Sequence, residues 1–166
     1  MKTPMKPASV FLFVLILSIL IKLCVLDIMR VSGPSMLPTL TEGTIVCEYK
    51  LAWGIPVPFR NSYFLRWGEP KVGDLIIYPW LGRYVIKRCL ATGGTKLVFS
   101  HDSGYSVQMG EVMLPLTREH YEKMRHITEV PVGTVFAAGD NPAESRDSRE
   151  YGCISLDSIR GKVIFP

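Results

Sequence analysis

Residues 32–40 read Ser32-Gly33-Pro34-Ser35-Met36-Leu37-Pro38-Thr39-Leu40, and they follow closely on an apolar N-terminal stretch. Glycine and proline bound a tight turn here, because proline fixes its own φ and restricts the residue before it. Ser35 sits inside that turn, so a stiff backbone presents its hydroxyl at the outer edge of a candidate membrane anchor. Such a hydroxyl could act on a membrane-proximal peptide if a base and a scaffold were at hand. Tyr84-Val85-Ile86-Lys87-Arg88 supplies a lysine within an apolar run, and Gly139-Asp140-Asn141 supplies polar groups.

Working outward, residues 8–26 are apolar except for a few interruptions such as Ser18 and Lys22. A spanning helix needs about 20 such residues. Lys22 near the outer end can snorkel to the headgroups. Lys2 and Lys6 would suit a cleaved secretory leader, but Cys24-Val25-Leu26-Asp27-Ile28-Met29 offers no small-residue cleavage site. The segment therefore reads as a retained single-pass anchor over residues 1–30, followed by a domain over residues 31–166. Cations flank both sides of the span, and the orientation expected is a cytoplasmic N-terminus with the domain exported.

The chain has 166 residues, enough for one domain with an appendage, and 48% of them are hydrophobic. Its net charge of +4 is spread without a block of like charges. That excludes a nucleic-acid footprint and is compatible with a bilayer partner. Cys24 falls in the anchor, leaving Cys47, Cys89 and Cys153 in the domain without metal-ligand spacing. One disulfide or buried free thiols remain open. No cofactor and no metal are implied.

After the anchor, short apolar runs punctuated by Gly and Pro read as a mainly β domain. Strands are expected over 44–51, 74–78, 84–90, 96–100, 105–109, 134–138 and 162–165. Tyr121, Met124 and Ile127 share a helical face, so residues 117–127 are the one short helix expected in the domain, covering an open end of the sheet. Residues 53–67 are aromatic yet broken by Pro56 and Pro58, which argues against a regular strand or helix. They read as an irregular loop on the core or as a lipid-facing lip, since Trp and Tyr favour the interface.

A serine hydroxyl becomes nucleophilic only when a base takes its proton. His101, His120 and His126 stand in no triad context and read as surface or helix-face residues. Lysine can serve instead if burial keeps it neutral, since desolvation disfavours the ammonium. Strand alternation puts Val85 and Lys87 on one face and Ile86 and Arg88 on the other. A lysine in a strand ordinarily points to solvent; pairing with the Ser35 turn is what raises Lys87 to a candidate.

Taken in order, Ser35-Met36-Leu37-Pro38-Thr39-Leu40, Gly73-Asp74-Leu75-Ile76-Ile77-Tyr78, Tyr84-Val85-Ile86-Lys87-Arg88 and the segment from Gly139-Asp140-Asn141 through Ser145, Asp147-Ser148-Arg149 and Tyr151-Gly152 resemble the blocks of bacterial type I signal peptidases. The resemblance implies a β-rich catalytic domain and a serine endopeptidase that removes signal peptides from exported preproteins at the outer face of the cytoplasmic membrane. It implies Ser35 as nucleophile and Lys87 as general base, with Ser145 hydrogen-bonding the lysine and Asp147 and Arg149 forming a supporting ion pair. Arg88 is a candidate partner for Asp140.

The family's preference for small residues beside the scissile bond implies shallow apolar pockets, for which Met36, Leu40, Val85 and Ile86 are the lining candidates; core packing is their other reading. The Ser35 N–H is one oxyanion donor. The second is open, because Gly33 stands where many members carry serine. Residues 91–95 depart from the family's usual turn after the base. A relative dedicated to one substrate, such as a pilin, is the alternative within enzymes. A self-cleaving repressor would need a DNA-binding N-terminus, and a non-catalytic scaffold would be expected to lose Ser35 or Lys87.

Overall fold

The computed structural model describes residues 7–57, 60, 62–102 and 104–165. Lys2 and Lys6, on which the orientation argument leaned, lie outside the described residues, as do Pro58 and Phe59 of the expected lip.

The N-terminal helix α1 runs Pro7–Cys24, and none of its residues is buried. At ~1.5 Å per residue its length approaches the roughly 30 Å of a bilayer core. Exposed Phe11, Phe13 and Leu20 thus have no protein to pack against, so lipid is their natural solvent. The strands that follow are β1 (Leu26–Arg30), β2 (Ile45–Tyr49), β3 (Gly54–Pro56), β4 (Tyr63–Arg66), β5 (Leu75–Trp80), β6 (Arg83–Thr92), β7 (Leu97–Ser100), β8 (Ser106–Met109) and β9 (Val112–Pro115). Helix α2 (Arg118–Met124), β10 (Thr134–Ala138), the single turn α3 (Ser148–Tyr151), β11 (Ile154–Ser155) and β12 (Gly161–Phe165) complete the order.

A seven-stranded sheet in the order β1-β2-β12-β5-β6-β10-β11 forms the body, every pair antiparallel. A β7-β8-β9 meander and a β3-β4 ribbon flank it. The mainly β reading and the expected strands therefore stand; Ile154–Ser155 adds a short edge strand that was not expected, and four further differences follow. Residues 26–30, assigned with the anchor, pair with β2 in register Leu26↔Tyr49 to Arg30↔Ile45 and belong to the sheet. Their alternation was hidden because it abuts the apolar run of α1. Residues 53–67 do contain regular structure: β3 and β4 pair with a bulge between Ile55 and Pro56, and proline is tolerated at such a strand end.

The third difference is Val112–Pro115, a strand absent from the sequence reading that closes the meander. The fourth is α3, a helical turn additional to the one expected. Helix α2 itself is shorter than residues 117–127; Thr117 caps it by accepting from the His120 N–H, and Met124 packs with Leu97, Val107, Met109, Leu114 and Phe136. Burying each such side chain contributes about 1.5–3 kcal/mol before chain entropy is charged against it.

β6 is the organising strand. Hydrogen-bonded to β5 on one side and β10 on the other, it spans both halves of the core. Val85 and Cys89 pack against Ile76, Tyr78 and Ala137, while Ile86 packs against Met36, Leu40 and Ile77. The period-two alternation read from the sequence is thus present, and it carries Lys87 inward with Cys89. Cys24, Cys47, Cys89 and Cys153 are all free thiols, Cys89 among them fully buried.

Candidate active site

Three chain segments meet at Lys87. The turn after β1 brings Ser35, β6 brings the lysine, and the loop after β10 brings residues 139–147. Lys87 Nζ lies 2.7 Å from Ser35 Oγ, and Lys87 is 3% exposed. Burial is the main reason its ammonium is held below the usual 10.5; the Asp147 carboxylate opposes that shift and the Arg149 guanidinium assists it.

The Ser35 turn is clamped from the β10 side. Asn141 N–H donates to the Ser35 carbonyl at 3.1 Å, and its side-chain amide donates to the Pro34 carbonyl at 3.2 Å. The Ser35 N–H, by contrast, makes no hydrogen bond among the described residues. Gly33 has φ +87, a left-handed conformation that glycine adopts freely. Gly139 lies so close behind the turn that a Cβ there would sit 2.4 Å from the Ser35 carbonyl oxygen and 2.3 Å from Ser145 Oγ. Only glycine fits.

Asp140 ties the same turn to β6. Arg88 donates to its two carboxylate oxygens at 2.7 and 2.6 Å, and Thr39 Oγ1 donates to Oδ2 at 2.5 Å. The expected Arg88–Asp140 pairing is present, and Thr39 is a third member that sequence reasoning missed. Asp147 is fully buried against Arg149, with Nε and Nη2 each donating at 2.8 Å. Burial pushes the Asp147 carboxyl up, but hydrogen bonds from Arg149, Ser145 and the Gly139 N–H outweigh it and hold it below its usual value.

Ser145 requires a correction. Its Oγ donates to Asp147 Oδ2 at 2.6 Å, and no hydrogen bond joins it to Lys87. The hydroxyl's one proton goes to the carboxylate, a charge-assisted bond, and the Lys87 amine is directed instead to Ser35 Oγ. Ser145 thus supports Asp147, whose field acts on the lysine.

A cavity of about 110 Å³ opens beside the pair, lined in part by Ser35, Met36, Val85, Ile86 and Lys87. Leu40, expected with these, is fully buried among Val31, Val46 and Ile77 and does not line it. Its N–H bonds to the Met36 carbonyl, and the tight turn so closed carries Leu40 into the core. Met29, Arg30 and Val31 do line the cavity and were not anticipated. Recognising β1 as a strand would have found them. His101, His120 and His126 stand apart from it, His101 beside Tyr121 at 3.3 Å.

The arrangement offers a desolvated amine against a hydroxyl, a free backbone N–H on the same turn and a small cavity with both polar and apolar walls: the parts of an acyl-transfer site. Comparison with known proteins agrees. The family model described as signal peptidase, peptidase S26, matches residues 5–166. A signal peptidase I of Bacillus caldolyticus is 29% identical over 149 residues, covering 81% of this chain and 75% of that protein. A probable signal peptidase I-1 of Synechocystis is 27% identical over 165 residues, covering 91% of this chain and 76% of the other. Among solved structures, a signal peptidase I from Enterococcus faecalis aligns with a TM-score of 0.40 at 21% identity, over 57% of this chain and 97% of its own. With the family match spanning nearly its whole length, the chain belongs to the signal peptidase family, peptidase S26, and is a serine endopeptidase of the signal-peptidase type.

Proposed function

We propose that this protein removes signal peptides from exported preproteins by a Ser35–Lys87 dyad, anchored by residues 7–24 in the cytoplasmic membrane with its β domain on the outer face. The observation that carries the mechanism is the 2.7 Å contact between a buried lysine amine and a serine hydroxyl. Neutral Lys87 accepts the Ser35 hydroxyl proton as Oγ attacks the scissile carbonyl carbon. The oxyanion that forms is met by the Ser35 N–H; one good donor of this kind is worth roughly 3–4 kcal/mol in the transition state. Lys87, now an ammonium, returns its proton to the leaving amine, and the mature N-terminus departs. Water then attacks the serine ester while Lys87 takes its proton; Lys87 returns that proton to Ser35 Oγ as the ester bond breaks, and the signal peptide leaves as a carboxylic acid that ionises in water.

Asp147, Arg149 and Ser145 are positioning residues in this scheme, acting on the lysine's charge state and on the backbone of Gly139. An extended signal peptide adds along residues 84–87, where main-chain pairing tolerates varied sequence. Its small residue beside the scissile bond fills the cavity lined by Met36, Val85 and Ile86. The small volume of that cavity supports a preference for alanine over larger side chains. Ile55, Phe64, Leu65 and Trp67, exposed on the β3-β4 ribbon, support the lipid-facing reading of that region.

Cleavage of a preprotein bearing an Ala-x-Ala site by the full-length chain in detergent tests the proposal. Cleavage after the second alanine, abolished in both Ser35→Ala and Lys87→Ala while the variants stay folded, is the expected result. Retained activity in either variant would remove the dyad from the mechanism.

A further inference from the structure

A second cavity, of about 320 Å³, opens at the last turn of α1 and is lined among others by Leu23, Lys50, Arg60, Ser62, Ser158 and Arg160. Tyr84 lines both this cavity and the one beside the dyad, so the two share a wall. Lys50 donates to the Lys22 and Leu23 carbonyls at 2.6 and 3.4 Å, occupying acceptors that a helix end leaves orphaned. It also lies 3.2 Å from Asp27. Arg160 reaches Asp27 at 2.5 Å and Glu48 at 3.2 Å, and its guanidinium covers the Tyr84 ring at 4.2 Å.

The charges here do not cancel. Asp157, the acidic residue of the lining, is answered by Arg66 at 3.0 Å. Lys50 and Arg160 are answered by Asp27 and Glu48. Arg60 has no ion-pair partner among the described residues. A concave site thus holds one unanswered cation, Arg60, beside two paired ones and the Ser62 side chain, while the Ser158 hydroxyl donates to the Ser155 carbonyl.

Its setting narrows the ligand. One wall is the end of a wholly exposed apolar helix. Another comes from Pro56 and Val57, next to the ribbon that exposes Ile55, Phe64, Leu65 and Trp67. Both apolar walls border one cationic hollow, the pattern of a lipid whose anionic head and acyl chains are held together. We infer that this cavity binds the phosphodiester of an anionic membrane lipid, with the phosphate near Arg60 and the chains lying along α1 and the β3-β4 ribbon. The inference goes beyond the cleavage reaction but rests on the reading of α1 as an anchor. Inorganic phosphate shares the headgroup's chemistry and is the other possible source of the anion.

The test titrates the full-length chain, in non-ionic detergent, with short-chain phosphatidylglycerol, with phosphatidylcholine of the same chain length and with inorganic phosphate. Calorimetry and thermal shift give the readout. Phosphatidylglycerol should bind saturably and raise Tm, with phosphatidylcholine clearly weaker. Arg60→Gln should weaken phosphatidylglycerol binding about fivefold, the share of a single basic residue near an anionic surface, and Arg60→Lys should restore most of it. Inorganic phosphate binding as tightly as the lipid would support the anion site and assign it to a free ion. Equal affinity for the two lipids, or binding unchanged in both Arg60→Gln and Arg60→Glu, overturns the site. Flotation with phosphatidylcholine vesicles separates the two readings: a chain that does not float overturns the anchor and the lipid site together, whereas one that floats but binds the two lipids equally in the titrations overturns the site alone.

Discussion

Gly139→Ala isolates the steric frame of the nucleophile from its chemistry, because neither reacting group is touched. The added carbon would stand 2.4 Å from the Ser35 carbonyl oxygen, 2.3 Å from Ser145 Oγ and 2.7 Å from Ser145 Cβ. An unstrained C···O approach is about 3.3 Å, so the Ser35 carbonyl must retreat by roughly 0.9 Å or the β10 end must move back as far. Either shift strains the 3.1 Å bond from the Asn141 N–H, and with that clamp disturbed Oγ loses its fixed position against Lys87. Misplacement by about 1 Å costs on the order of 100-fold in rate, or ~2.7 kcal/mol of transition-state energy. Overpacking adds about 1–3 kcal/mol of lost stability, a fall in Tm of very roughly 2–12 °C at this size.

The assay is steady-state cleavage of an Ala-x-Ala preprotein, with Tm measured on the same preparations. Gly68→Ala is the control, since its added carbon would meet only Trp53 at 3.6 Å, an ordinary contact. A folded Gly139→Ala enzyme with kcat within about threefold of the parent would refute the claim that this contact sets the position of Ser35.

The rising limb of kcat/KM against pH reports deprotonation of Lys87 in the free enzyme, and its midpoint should fall below the usual lysine value of 10.5. Asp147→Asn should move that midpoint lower still, because it removes a carboxylate whose field raises it; a midpoint that stays or rises would refute this electrostatic reading. Glu48, buried without a hydrogen bond, is raised by burial from 4.5 to about 6, with Arg160 and Lys50 opposing. The stability it contributes is therefore full below about 4.5 and is lost as pH rises through about 6, and Glu48→Gln should flatten the change in Tm over that window.

Legibility in the sequence followed the range over which each signal acts. Residues 134–138 stand between a glycine turn and the Gly139 segment, and the strand has those bounds. The facing of β6 was legible because a period of two needs no tertiary information. Residues 26–30 were not, because an apolar run that passes from helix to strand shows no break in composition. Leu40 and Ser145 illustrate a different limit. Leu40 was placed by its nearness along the chain to Ser35 and Ser145 by its position in the resembling motif, whereas a tight turn in one case and a nearby carboxylate in the other decided where the side chains went. Thr39 joined Asp140 across 101 residues of sequence, a contact no local pattern could announce.

Under the proposed dyad, the buried ion pair accounts for how a lysine would serve as the base. A neutral amine requires burial, yet the loop that buries Lys87 must itself be held, and its polar backbone is held by a carboxylate. Asp147 receives the Gly139 N–H, the Ser145 hydroxyl and the Arg149 side chain, so it fixes the segment that presses on the Ser35 turn. Alone, that buried carboxylate would favour the lysine's ammonium and undo the desolvation. Arg149 carries a compensating charge into the same site at 3% exposure, and its field on Lys87 has the opposite sign. With the two fields opposed, burial is left as the leading influence on the amine. The pair is therefore best understood as a neutral brace: it contributes order to the loop while leaving the lysine's proton affinity to be set by the apolar strand on which it stands.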